Sequence, residues 1–446
     1  MDRKNFLKQS ALVSLGGLLF PSSILSSCRK KSLFEDQNYD GKVIIIGAGA
    51  AGLYAGYILK SKGIDFTILE ASNTHGGRMG KLSGFADYDI DTGAQWLHGN
   101  NNILGDLIKK TNTPVTLDLS EYAYWFNGQL VSELPEDPFI FEGENLPDVS
   151  FKDYAHQQGF GSEYDTIIEA IAGDQGASAS LLSAYWNKKE EENWVSGDDD
   201  FKFSATYFDF IDAHIARPVI DKVVLNTPIT GINYAGEKIQ LTDASSNQWI
   251  ADKVIVTVPI SILKLNEISF TPALPAAKTE AFSKIGMGPG MKVFLKFSTK
   301  FFEPILIGGT ICAAYIDDSV GKTTSDNILL AFVMGDQAAY LHALGSDNAI
   351  TTALLQELDS VYSGQATASF LASSVHDYTS KPFIKGAYGY STVGMNDARA
   401  VAAQPVNDKL FFAGEAMNIN GHHQTVQGAV ESGYKAVIDL LKSVEK

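Results

Sequence analysis

Three groups of residues in this chain have the types and spacing that chemistry needs. The first is Gly47, Gly49 and Gly52, in the order G-x-G-x-x-G, with Ala50 and Ala51 between the last two. The first glycine permits a tight turn, the second lets the backbone approach a pyrophosphate, and the third lets a helix pack closely on a strand. Glu70 follows Gly52 by 18 residues, where a carboxylate takes ribose hydroxyls and disfavours a 2′-phosphate. The second is Lys292, inside the alternating run Met291-Lys292-Val293-Phe294-Leu295-Lys296-Phe297. A lysine buried in an apolar strand needs a partner or a purpose, whereas strict alternation equally allows it to face solvent. The third is His98, whose imidazole can accept or donate a hydrogen bond and act as a general acid or base near neutral pH. A purely structural histidine is the other reading.

The elements that must position these residues are legible in outline. Lys42–Ile46 is a short apolar run, as expected of a strand buried on both faces of a parallel sheet. The glycines follow, then a helical segment to about Lys62, then a second strand over Asp65–Leu69 that closes on Glu70. This is one complete βαβ unit. Sheet-like segments return at 221–225, 238–242, 253–258 and 409–413, with a helix from about Thr425 to Leu441. Two long aromatic-rich stretches separate these blocks. The expected organisation is a Rossmann-like nucleotide domain from 42–104, 220–265 and 385–446. A mixed-sheet substrate domain is inserted twice, as 105–219 and 266–384. Residues 120–200 show no clear period.

Composition sets the outer limits. The 446 residues exceed what one core usually holds. Hydrophobic residues at 45% and charged residues at 20% are ordinary for a globular chain. A net charge of −17 disfavours nucleic acid as a partner. With Cys28 and Cys312 alone, a cysteine-based metal site is excluded, and no metal is expected. Residues 1–27 read as an export signal. The start Asp2-Arg3-Lys4-Asn5-Phe6-Leu7-Lys8 resembles a twin-arginine signal, and Leu25-Ser26-Ser27-Cys28 resembles a bacterial lipobox. The expectation is an exported lipoprotein on the periplasmic side or outer membrane, touching the membrane only through lipid on Cys28. Residues 28–41 would be its tether.

Further blocks carry a family likeness. Gly76-Gly77-Arg78 comes directly after Glu70, and Asp91-Thr92-Gly93-Ala94-Gln95-Trp96-Leu97-His98-Gly99 follows. Then come Lys253–Pro259 with Gly286–Phe297, and Gly386-Ala387-Tyr388-Gly389-Tyr390-Ser391. The last blocks are Phe411–Ala416 and Gln424–Gly433. Together they resemble the flavin-containing amine-oxidase superfamily, and Trp-x-His-Gly is closest to the polyamine and spermine oxidases. The resemblance implies an α/β plus α+β fold, a Rossmann-like FAD-binding domain with a discontinuous substrate domain. It implies FAD held by Gly47, Gly49, Ala50, Ala51, Gly52, Glu70, Ala71, Gly77 and Arg78 at the nucleotide end. Gln95, Trp96, Val224, Gly414, Glu415, Thr425 and Val426 complete that set. Arg78 would face the pyrophosphate, Glu415 the ribityl chain, and the helix start near Val426 the flavin pyrimidine. Ala387 stands where monoamine oxidases carry a flavin-linked cysteine, so the FAD is expected to be noncovalent.

The same resemblance assigns Lys292 to a water near flavin N5, and places Trp96, Tyr388 and Thr425 in the substrate pocket. Trp96 and Tyr388 can equally be core aromatics. Tyr378 replaces a common tryptophan, Met417 a common threonine, and Thr425 the second cage tyrosine. Asp198-Asp199-Asp200 is either near a substrate entrance or a solvated loop. The implied reaction takes a hydride from the carbon beside an amine nitrogen to flavin N5. The imine is then hydrolysed to aldehyde plus amine, and O2 yields H2O2. Two alternatives stay open. An L-amino-acid oxidase would need an arginine just after Gly93-Ala94, and Gln95–His98 offers none. An exported flavin-carrying binding protein with little turnover is the other.

Overall fold

The structure is a computed structural model that describes residues 39–138 and 146–445. The export signal, Cys28 and most of the tether lie outside the described residues. The site-building elements are, in chain order, strand β1 (Val43–Ile46), helix α1 (Ala50–Ser61), β2 (Phe66–Leu69) and β3 (Trp96–His98). They continue with β4 (Val223–Val224), β5 (Lys253–Val256), β6 (Gly290–Phe297), β7 (Leu410–Phe412) and helix α2 (Val426–Val444).

Five strands form a wholly parallel sheet in the order β4-β2-β1-β5-β7. All four residues of β1 are buried. Val43 and Ile45 enter the core shared with α1 and α2, whereas Ile44 and Ile46 enter the core on the opposite face. That two-sided burial is why the strand is a continuous aliphatic run. The chain then turns through Gly47 at φ +105°, and a Cβ on Gly52 would stand 2.0 Å from the Gly47 carbonyl oxygen. Helix α2 approaches α1 equally closely, since a Cβ on Gly433 would lie 2.3 Å from the Ala51 carbonyl oxygen.

A seven-stranded mixed sheet supplies the opposing wall, with β6 hydrogen-bonded between strands 370–377 and 327–334. Strands 314–317, 305–307, 122–126 and 129–131 extend it. Met291, Val293 and Leu295 pack in a core with helix 347–362, and Phe294 packs in the core on the other face. Lys292 shares the Phe294 face and is 4% exposed, so the solvent-facing reading of its alternation does not hold. A small sheet places β3 against strand 200–203, with His98 directly opposite Asp200.

The sequence-derived domain boundaries need correction. Helix 103–111 and residues 207–219 pack in the α1–α2 core, because their aliphatic and aromatic side chains cover its outer face. Strand 269–271 pairs with strand 229–233 in a separate four-stranded sheet that includes the 239–243 segment. The stretch without a clear period contains helices 151–157, 165–174 and 184–191. No helix among the described residues is long and apolar enough to cross a membrane. The 2.0 Å approach at Gly52 gives a direct prediction. Gly52→Ala forces α1 away from β1, and should lower the melting temperature and the bound flavin per chain; an unchanged melt and absorbance ratio would contradict this packing.

Candidate active site

A cavity of about 590 Å³ extends from the glycine turn to the face of the seven-stranded sheet. At one end its wall holds Gly47, Gly49, Ala50, Ala51, Glu70, Ala71, Gly77 and Arg78. Gly52 lies behind the wall, where it permits the helix–turn contact. Helix α1 starts after Gly49 with no side-chain cap, and a Cβ on Gly49 would meet nothing within 4 Å. Its first turn therefore faces open space, as an anion-binding helix terminus must. Glu70 closes the neighbouring loop by accepting from the Ala48 amide at 2.6 Å and the Ser72 amide at 2.8 Å.

Midway, Arg78 donates to Glu415 at 2.7 Å and to the Ala387 carbonyl at 2.9 Å. Glu415 is buried and also accepts from the amides of Gly389 and Gln424, each at 3.1 Å. Burial raises its carboxyl, but Arg78 outweighs this and holds it below the usual range. One ion pair, buried on its Glu415 side, thus joins the Gly76-Gly77-Arg78 turn to the segment after β7.

The far end contains Lys292, His98 and Trp96. Lys292 donates to Gln95 Oε1 at 2.7 Å and to the Asp91 carbonyl at 3.2 Å. Burial lowers its ammonium to about 8, although Asp318 and Asp91 pull upward. Burial likewise raises Asp91 to about 7, against two bonds from the Tyr207 amide and the charge of Lys292. His98 pairs with Asp200 at 2.7 Å, and its carbonyl accepts from Gln427 of α2 at 2.9 Å. Trp96 donates to Asp118 at 2.9 Å. Burial raises Asp118, but Lys202 at 3.0 Å, with Ser120 and Trp96, brings it down to about 2. The ammoniums of Lys202 and Lys292 lie 5.6 and 5.5 Å from the Trp96 ring centroid, within cation–π range.

Tyr388 lines the cavity and donates to the carbonyl of Asp174 at 3.0 Å. Thr425 also lines it, but its hydroxyl is committed as the α2 cap, accepting from Gly428 and donating to His422. Gly414, Glu415 and Val426 lie in the same wall. One expectation is corrected. Val224 is 36% exposed at the edge of the parallel sheet and outside the cavity, because only its carbonyl turns inward, to the Glu70 amide. Thr227, Pro228, Ile229 and Thr230 form the wall there instead. Gln95 does line the cavity, yet its amide is spent on Lys292 and Asp318. Of the acidic run, Asp200 reaches the cavity wall.

A family model described as flavin containing amine oxidoreductase matches residues 50–199 and 211–441. The chain belongs to that family. It is 27% identical over 465 residues to probable polyamine oxidase 4 of Arabidopsis thaliana, covering 94% of this chain and 90% of that protein. It is 26% identical to human lysine-specific histone demethylase 2, covering 96% of this chain and 56% of the demethylase. A solved putrescine oxidase bound to putrescine superposes with a TM-score of 0.76 at 20% identity, covering 91% of this chain and 99% of that one. Cyclohexylamine oxidase from Brevibacterium oxydans gives 0.76 at 20%, with coverage of 92% and 100%. As a family member the protein is an FAD-dependent oxidoreductase acting on amines, and the open glycine turn with its uncapped helix fits the diphosphate of that cofactor. Lys292→Met should retain flavin but slow turnover at least about tenfold, a barrier change of about 1.4 kcal/mol; near-normal turnover would remove Lys292 from the chemistry.

Proposed function

We propose that the protein oxidises a polyamine or similar dication, with FAD bound noncovalently and O2 as acceptor. When bound, the cofactor supplies hydride acceptance from the carbon beside the amine nitrogen. In this reading α1, Glu70 and Arg78 hold the nucleotide and diphosphate portions. Lys292 holds a water where the imine is formed and hydrolysed. His98, fixed by Asp200, receives a proton or hydrogen bond from the amine.

The observation that carries the substrate class is Asp174. Its wall-mates Asp118, Glu267 and Glu415 are each paired with Lys202, Lys385 and Arg78 respectively, and Asp200 holds the ring of His98. Asp174 has no such partner among the described residues; only the adjacent Gln175 side chain donates to it, at 3.2 Å. It ends helix 165–174, so the negative end of the helix dipole adds to its charge. Tyr388, whose hydroxyl donates to the Asp174 carbonyl, lines the same wall. Ile305, Ile307, Ile316, Phe332 and Met334 form apolar wall suited to a methylene spacer. The cavity arginine is tied to Glu415, which leaves no guanidinium for an amino-acid carboxylate.

Ala387 lies in the wall, and the described cysteine, Cys312, is buried in a core on the far face of the sheet. Acid precipitation should therefore release the flavin into the supernatant. Peroxide formation should be fastest with spermidine, spermine or putrescine, slower with benzylamine and absent with leucine; a preference for leucine would overturn the proposal. Asp174→Asn should raise KM for dications at least about tenfold, about 1.4 kcal/mol, with kcat nearly unchanged. Equal effects on benzylamine would argue that Asp174 has no part in recognising a second nitrogen.

A further inference from the structure

Asp318 is the buried acid that the reading so far leaves without a task. It follows strand 314–317, is 3% exposed, and has no lysine or arginine within salt-bridge distance among the described residues. Its carboxylate accepts from Gln95 Nε2 at 2.8 Å and from the Tyr88 hydroxyl at 3.0 Å. Gln95 in turn accepts from Lys292 at 2.7 Å. The chain of bonds has one possible polarity. An ionised carboxylate only accepts and an ammonium only donates, so the Gln95 amide must turn its NH2 to Asp318 and its oxygen to Lys292. Two of the three ammonium hydrogens are then used, on Gln95 and on the Asp91 carbonyl, and the third is left for the cavity that Lys292 lines.

We propose that Asp318 is a positioning residue that, through Gln95, fixes the direction in which Lys292 presents its remaining N–H. The groups facing Lys292 come from several elements. Asp91, fixed by the Tyr207 amide, and Asp318 favour the charge. Lys202 opposes it. His376, opposite on the neighbouring strand, is lowered to about 4 by burial, with Lys381 and Lys292 adding to the effect, so it stays neutral in the relevant range. Removing the Asp318 charge frees the amide to turn over and leaves the ammonium with less compensation.

The inference rests on Lys292 lying at the flavin, and two measurements on the holoenzyme separate them. The first is a double-mutant cycle of Asp318→Asn with Lys292→Met, read by denaturant unfolding. The folded lysine sits near 8, below its ordinary value, so its coupling to Asp318 is present below that pH and fades above it. We expect non-additivity of at least about fivefold in the unfolding constant at pH 7.5, shrinking by pH 9.5. Asp318→Glu should recover part of it. Additive effects at both pH values would overturn the proposal. The second is a pH titration of the flavin absorbance. The wild type should show an inflection near 8 that Lys292→Met abolishes and Asp318→Asn moves down by about one unit. An inflection unmoved in Asp318→Asn would also overturn the proposal. Coupling without any flavin inflection would support the Asp318–Gln95–Lys292 network and refute the placement of Lys292 at the flavin.

Discussion

A lysine ammonium closed inside a sheet is costly unless acceptors surround it, and the far end of the cavity is organised around meeting that cost for Lys292. Its compensation comes from separate parts of the chain: Asp91 and Gln95 before β3, and Asp318 after strand 314–317. Each must be delivered by a different piece of architecture. Asp91 is held by the Tyr207 amide, Gln95 leads into the strand bearing Trp96 and His98, and Asp318 begins the turn after a strand of the seven-stranded sheet. A partly assembled version would leave a desolvated charge uncompensated. The site is therefore rigid for the same reason that it is polar.

The two ends of the cavity use opposite devices. At the glycine turn an uncapped helix start and small residues leave backbone donors toward an anion. At the far end, Asp118 is held by Lys202 and Trp96 and Asp200 holds His98, so the carboxylate proposed to meet a cation is Asp174. The Arg78–Glu415 pair stands between them. It neutralises a cation that would otherwise repel an approaching ammonium, and it ties the turn after β2 to the segment after β7.

What could be read beforehand follows from how local each signal is. Gly47, Gly49, Gly52 and Glu70 obey steric rules that operate within a few residues, and they mark a βαβ unit wherever they occur. The Lys292 reading rested on the family resemblance and on the alternation of β6, with one ambiguity that the sequence cannot resolve. Alternation gives the side of a strand, and only the neighbouring sheet tells whether that side is wet. Asp318, Asp174 and Asp118 were missed because nothing in their own segments distinguishes them from surface carboxylates. Their partners, Gln95, Tyr388 and Lys202, are far away in sequence. Val224 was misplaced by a few residues because a two-residue edge strand has little pattern to fix its register. Residues 207–219 were put in the wrong block because their apolar faces match either core.

The parallel sheet has a temporal side. Its strands are drawn from residues 43–46, 66–69, 223–224, 253–256 and 410–412. A ribosome therefore delivers the glycine turn long before the strand that leads to Gly414 and Glu415. Until β7 docks beside β5, Arg78 has no Glu415 and the middle of the cavity has no wall. Such long-range closure is slow and late. A complete cofactor site thus exists only after residues 410–415 have been made and docked, long after the glycine turn itself.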